Sequence, residues 1–160
     1  MTKIPKLWLI DGDSLSGKIR FALEAKRAIE QITRKEVETI YFTPSQKKDL
    51  TKPDGYQIMD QVQLLWLLES EKPFCLSAHN YLAQLIGKDE KIVKVFLKNK
   101  RANNAKQRFE QTYNKPWEWL YDVVVRADNL CFNAMYKEVI NGLTEKGLMP
   151  QYDFFSSPRF

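Results

Sequence analysis

Hydrophobic and polar positions change their rhythm several times along the chain. Leu7-Trp-Leu-Ile10 is a short apolar run ended by the polar Asp11-Gly-Asp-Ser14, the pattern of a strand followed by a turn. From Leu15 to Ile32 apolar residues recur at Ile19, Ala22, Leu23, Ala25, Ile29 and Ile32, a helical period. Val37 to Phe42 reads as a second short strand pairing with the first. Pro44 to Gly55 is polar, holds Pro44, Pro53 and Gly55, and reads as a linker.

The remainder reads as helices. Tyr56 to Glu69, with Val62, Leu64, Leu65, Leu67 and Leu68, is the first, and Pro73 ends it. Leu76 to Ile86 is a shorter one, closed by Gly87 or capped at its start by Ser77. Asp89 caps a third, running to about Glu110 with Ile92, Val93, Phe96 and Leu97 as its apolar stripe. Three helices with a tight glycine turn before the last describe a helix-turn-helix. Asn114-Lys-Pro116 then opens a fourth, running to Asn141, with proline in the first turn, where its missing N–H costs nothing. Its apolar residues cover several sides, so it is expected to pack against several elements or a partner. The tail from Met149 to Phe160 is aromatic and nearly uncharged. The expected fold class is therefore mainly α: a small α+β element over residues 1–44, a helix-turn-helix over 45–111, and a long helix with a docking tail over 112–160.

Composition narrows the class. Apolar residues at 44% and charged residues at 28% are globular values. The N-terminal residues lack the apolar core of a secretory signal, and no uncharged run approaches a membrane span. Two cysteines, Cys75 and Cys131, exclude a disulfide scaffold and suit a reducing compartment. With His79 the only histidine, there is no Cys/His zinc set. These three residues read as ordinary packing or surface residues, and no cofactor or metal is expected.

Charge adds a position. The three segments carry +2, +4 and −1 of the net +5. Between Asp89 and Arg108 seven Lys/Arg stand against two acids, and both acids open the segment. A basic helix is the electrostatic footprint of a nucleic-acid binder, although a solvated helix face has the same composition.

Ile92-Val-Lys-Val-Phe-Leu-Lys-Asn-Lys-Arg-Ala102 resembles the last helix of the homeodomain, usually V-x-V-W-F-x-N-R-R-A. Anchored on Asn99, the alignment places Leu82-Ala83 on the family's second helix and Gly87 on its turn. Leu64 and Leu68 fall on first-helix core positions, and Tyr56 on the aromatic before them. The resemblance covers roughly residues 50 to 108. It implies a third helix in the major groove, with Val95, Lys98, Asn99 and Ala102 toward the bases. Asn99 would pair bidentately with adenine, a contact that discriminates by ~1–3 kcal/mol. Arg101 would meet a phosphate, Lys91, Lys94 and Lys100 would add to the general field, and Lys106 is a further DNA-binding candidate.

There are departures. The family's Trp-Phe is Phe96-Leu97, and Lys47 to Tyr56 has no arginine for a minor-groove arm. Binding alone is then expected to be weak. The chain is similar in size and make-up to the small homeobox-like accessory proteins of the nuclear DNA adenine methyltransferase complex of ciliates. That likeness implies a non-catalytic, double-stranded-DNA-binding subunit in the nucleus. Its protein partners, a methyltransferase heterodimer or another homeobox-like subunit, would dock on the segment from Pro116 onward. The same bundle would also serve as a protein–protein interaction module.

An enzyme reading rests on Leu9-Ile-Asp-Gly-Asp-Ser-Leu15. A strand ending in Asp11 and Asp13 resembles the carboxylates of PIN-like metal-dependent nucleases, and two-metal cleavage needs such a cluster. It also needs acids at the ends of other parallel strands, where residues 45–145 read as helices. Ser14-Leu-Ser-Gly-Lys18, counted from Ser14, lacks the G-x-x-x-x-G-K spacing, so no phosphate-binding loop is expected.

Overall fold

The computed structural model describes residues 3–41, 55–61, 63–65, 92–99, 104–128 and 131–150. Among these residues five strands form one sheet: β1 (Leu7–Gly12), β2 (Val37–Ile40), β3 (Tyr56–Met59), β4 (Ile92–Lys98) and β5 (Val123–Arg126). Their spatial order is β2-β3-β1-β4-β5, and every pairing is parallel. Among the described residues three helices accompany them: α1 (Lys18–Thr33), α2 (Asn104–Tyr113) and α3 (Phe132–Glu145). One turn of 3-10 helix at Trp117–Leu120 links α2 to β5.

A parallel sheet needs cover on both faces, so its strands are apolar without alternation. All four residues of Leu7-Trp-Leu-Ile10 are fully buried. Trp8, Ile10, Val93, Val95, Val123 and Val125 point to one face, where α1 contributes Phe21, Ala25 and Ile29 and α3 contributes Met135, Val139 and Leu143. Leu7, Leu9, Ile92 and Phe96 point to the other, where α2 contributes Ala105 and Phe109 and the 3-10 turn contributes Trp117 and Leu120.

This arrangement fixes where a site is built. The helix after β1 lies on one face and the helix after β4 on the other, while β1 and β4 are neighbours. Their C-terminal ends therefore flank the crevice where open α/β sheets bind ligands.

The fold differs from the expected mainly α, homeodomain-like bundle: it is α/β around a parallel sheet. The Ile92, Val93, Phe96, Leu97 stripe suits a helix as well as a strand buried on both faces, and the β-branched Ile92, Val93 and Val95 decide for the strand. Tyr56–Met59 is β3, although the following Leu64 and Leu65 are helical. Within the expected fourth helix, Val123-Val-Val125 forms β5 and α3 begins only at Phe132. β1, α1 and β2 appear as expected, except that β2 pairs with β3 and not with β1. Ile19 and Leu23, expected on the buried stripe of α1, are exposed, and Phe21 is buried instead. The expected Leu76–Ile86 helix, the Gly87 turn, His79, Cys75, most of the Pro44–Gly55 linker and the tail beyond Pro150 lie outside the described residues. No described helix is long and apolar enough to cross a membrane.

Candidate functional site

β1 runs into α1 through Asp13-Ser-Leu-Ser-Gly17. Two residues of this loop are left-handed, Leu15 at φ 62° and Gly17 at φ 84°. Glycine adopts that region freely, but a leucine does so at a cost of order 1 kcal/mol. Leu15 is also 95% exposed, so no packing of its side chain accounts for the strained backbone. Gly12 is required for a different reason: a Cβ there would lie 2.5 Å from Ser16 Oγ and 2.8 Å from the Leu97 carbonyl oxygen. Ser16 is itself 6% exposed, and its Oγ, turned toward Gly12, finds no hydrogen-bond partner among the described residues. No side chain caps the N-terminus of α1, where first-turn N–H groups have no partner within a helix.

Counted from Gly12, the segment Gly12-Asp-Ser-Leu-Ser-Gly-Lys18 has the spacing G-x-x-x-x-G-K. A count begun at Ser14 misses it. The spacing gains meaning from its setting, since this loop joins a central parallel strand to a helix N-terminus. Such a loop aims backbone N–H groups at an anion while the helix dipole and the lysine favour negative charge. Its last position departs from the pattern: Ile19, 55% exposed, stands where a serine or threonine hydroxyl would face a magnesium ion.

Two carboxylates bracket Gly12. Asp11 is 2% exposed and accepts three hydrogen bonds, from Gly12 N at 2.7 Å, Leu64 N at 3.1 Å and Tyr121 Oη at 2.5 Å. Burial pushes its pKa up to about 6, against the opposing pull of those bonds and of the Lys18 ammonium. Tyr121 is pushed up as well, by burial first and by the Asp11 carboxylate second. Its placement comes from Asp122, which exchanges backbone contacts with Lys94: Asp122 N donates to the Lys94 carbonyl at 2.8 Å and Lys94 N donates to Asp122 Oδ2 at 2.7 Å. Lys146 Nζ donates to the Asp122 carbonyl.

Asp13 faces α2. Its Oδ2 accepts from Asn99 N at 2.9 Å and from Lys106 Nζ at 3.0 Å. Lys106 is 7% exposed, and its ammonium also sits 4.6 Å from the Trp117 ring centre and 5.1 Å from that of Phe96. Asn99 Nδ2 donates to the Ser14 carbonyl at 2.8 Å. A cleft of about 250 Å3 opens beside the loop, lined among others by Asp11, Asp13, Ser14, Gln63 and Phe96. Asp60, next after β3, has its Oδ1 buried without a hydrogen-bond partner among the described residues.

No family model and no curated protein matches this chain.

The residues expected to read DNA separate on the sheet. Val95 is fully buried and Lys94 is 1% exposed, both inside β4. Lys98 is half-buried at the end of that strand, and Asn99 and Lys106 are turned to the loop. The i, i+3, i+4, i+7 stripe needs a helix, which residues 92–98 do not form. Lys91, Arg101 and Ala102 lie outside the described residues. Asp11 and Asp13 do stand at the end of a parallel strand, as a PIN-like site requires, but both carboxylates are engaged by protein donors. Among the described residues no three His, Cys, Asp or Glu side chains converge to hold a metal ion. The candidate loop from Gly12 to Lys18 was not expected from the sequence, although the spacing of Gly12, Gly17 and Lys18 was sufficient to find it. Nothing in the sequence signalled Tyr121.

Proposed function

We propose that the chain binds the phosphate groups of a nucleotide on the loop from Gly12 to Lys18, as P-loop proteins do. The observation that carries this reading is the G-x-x-x-x-G-K spacing on a loop between the central strand β1 and the N-terminus of α1. Supporting it are the buried, unpartnered Ser16 Oγ in the loop and the left-handed Leu15, features that a bound anion would account for. The half-buried Lys18 ammonium reaches the field of Asp11 at the same end of the strand, where it would meet phosphate oxygens.

The magnesium half of P-loop chemistry does not fit these residues. Ile19 supplies no oxygen, and Asp60 is a single carboxylate at the neighbouring strand end. The reading therefore assigns nucleotide binding and derives no phosphoryl transfer. The test is isothermal titration calorimetry with ATP, ADP and pyrophosphate on the wild-type chain and on Lys18→Ala. Binding lost in the variant, with the fold retained by circular dichroism, supports the reading; wild-type protein that binds none of the three overturns it.

A duplex-DNA role is not the one proposed, because the helix on which groove insertion rested is a buried strand. A metal-dependent nuclease is not favoured either, since Asp11 and Asp13 already accept from Tyr121, Leu64, Asn99 and Lys106.

A further inference from the structure

A phosphate-binding loop that contains a carboxylate and follows another is an electrostatic contradiction. Asp13 is the second residue of the loop, so its charge lies within the loop's own dimensions of any anion seated there. Left alone, it would repel the ligand that Lys18 and the α1 dipole attract. The structure holds its answer on a different element: Lys106 of α2 meets Asp13 at 3.0 Å, with both side chains more than nine-tenths buried.

The surroundings of Lys106 show that the ammonium is placed and not merely tolerated. A buried lysine loses hydration that one carboxylate alone recovers incompletely. Here the faces of Trp117 and Phe96 supply further attraction. Asn99 donates its backbone N–H to the same carboxylate oxygen, and its side-chain amide holds the adjoining Ser14 carbonyl. The loop's outer arm is thus tied to β4 and α2 while its charge is cancelled.

We propose that Lys106 is a positioning and charge-balancing residue for the phosphate site, making the loop receptive to an anion by neutralising Asp13. This rests on the phosphate-binding reading above and adds the condition under which that loop can work. Lys106 itself does not touch the ligand.

The test is a double-mutant cycle read by calorimetry with ATP in the absence of metal, each variant first checked for fold by circular dichroism. Lys106→Met leaves Asp13 uncompensated and should weaken binding at least about tenfold, the scale of one unpaired charge at this range. Asp13→Asn combined with Lys106→Met removes both charges and should bring affinity back to near the wild-type value. Asp13→Asn alone leaves the ammonium surplus and should bind more tightly than wild type. That variant decides the matter if Lys106→Met does not fold.

A folded Lys106→Met variant that binds like wild type overturns the inference, as does an Asp13→Asn variant that binds no better. A folded double variant that still fails to bind would make Lys106 a direct ligand and also overturn it. Wild-type protein that binds no ATP would instead overturn the phosphate reading, and this inference with it.

Discussion

Tyr121, just before β5, donates its hydroxyl at 2.5 Å to Asp11, at the end of β1, across the intervening strand β4. The tyrosine ring leans on Phe96 with ring centres 4.9 Å apart, so the contact is both a polar bond and a piece of the core. Tyr121→Phe keeps the ring and removes one donor from a buried carboxylate. It should cost about 1–3 kcal/mol in urea unfolding, the range for a hydrogen bond to a charged group. It should also raise the pKa of Asp11 further, since that bond is the strongest of the contacts pulling it down.

Asp11 sets a pH dependence with a definite sign. Its pKa is 3.8 in an unfolded chain and about 6 when folded, so the native state holds the proton more tightly. The contribution to stability is fully present below pH 3.8 and is lost as pH rises through about 6. Converted at ~1.4 kcal/mol per pKa unit, the loss is on the order of 3 kcal/mol. Comparing denaturant midpoints of wild type and Asp11→Asn between pH 4 and 7 isolates it: the wild type should lose stability relative to the variant as pH rises. A difference that stays flat would refute the assignment.

Stability should register the ion pair of Asp13 and Lys106 independently of any ligand. Breaking a buried pair from one side leaves a charge without compensation, and Lys106→Met is expected to cost about 3–5 kcal/mol. The double variant with Asp13→Asn should recover most of that. Chemical unfolding of the four proteins in the cycle measures the coupling directly.

Gly12→Ala would put a methyl group 2.5 Å from Ser16 Oγ and 2.8 Å from the backbone oxygen of Leu97. The serine can rotate away, but the carbonyl belongs to a central strand and cannot. We expect a loss of about 1–3 kcal/mol, as for other overpacked sites, and loss of nucleotide binding as the loop shifts.

Magnesium should matter little to binding. With Ile19 at the hydroxyl position, ATP affinity in the presence of a chelator should match that with magnesium to within about threefold, well under 1.4 kcal/mol. Ile19→Thr should create a preference for the metal complex. Strong magnesium dependence in the wild type would point to oxygens not identified at this site.

Much of the first third was legible in the sequence. Leu7–Ile10 announced β1 by a run of apolar residues broken by Asp11-Gly, and α1 kept a helical period. β4 was not legible in the same way, because a strand buried on both faces loses the alternation that marks a strand, and β5 is only four residues long. In β4 Lys94 interrupts the apolar run and supplies a helix-like gap, yet it is buried. The stronger signal was composition: Val123-Val-Val125 places three β-branched residues in succession, a poor choice for the helix interior expected there. The G-x-x-x-x-G-K spacing of the proposed loop was fully written in the chain, since Gly12, Gly17 and Lys18 need only be counted. The partners of its carboxylates were not, because Tyr121 and Lys106 reach the site through tertiary packing that leaves no local pattern.

The bonds around the loop join residues remote in the chain: Asp11 and Tyr121 are 110 residues apart, Asp13 and Lys106 93, and Asp13 and Asn99 86. Closures of that length must be made before they are rewarded, so this sheet belongs with topologies of high contact order that fold slowly. The loop itself can turn early, but its charge balance arrives only when α2 has docked, and the Tyr121 bond to Asp11 only when the chain has reached β5. Affinity for a nucleotide would then mature last, and a nascent chain released before residue 121 would present the glycines and the lysine without the support that makes them a site.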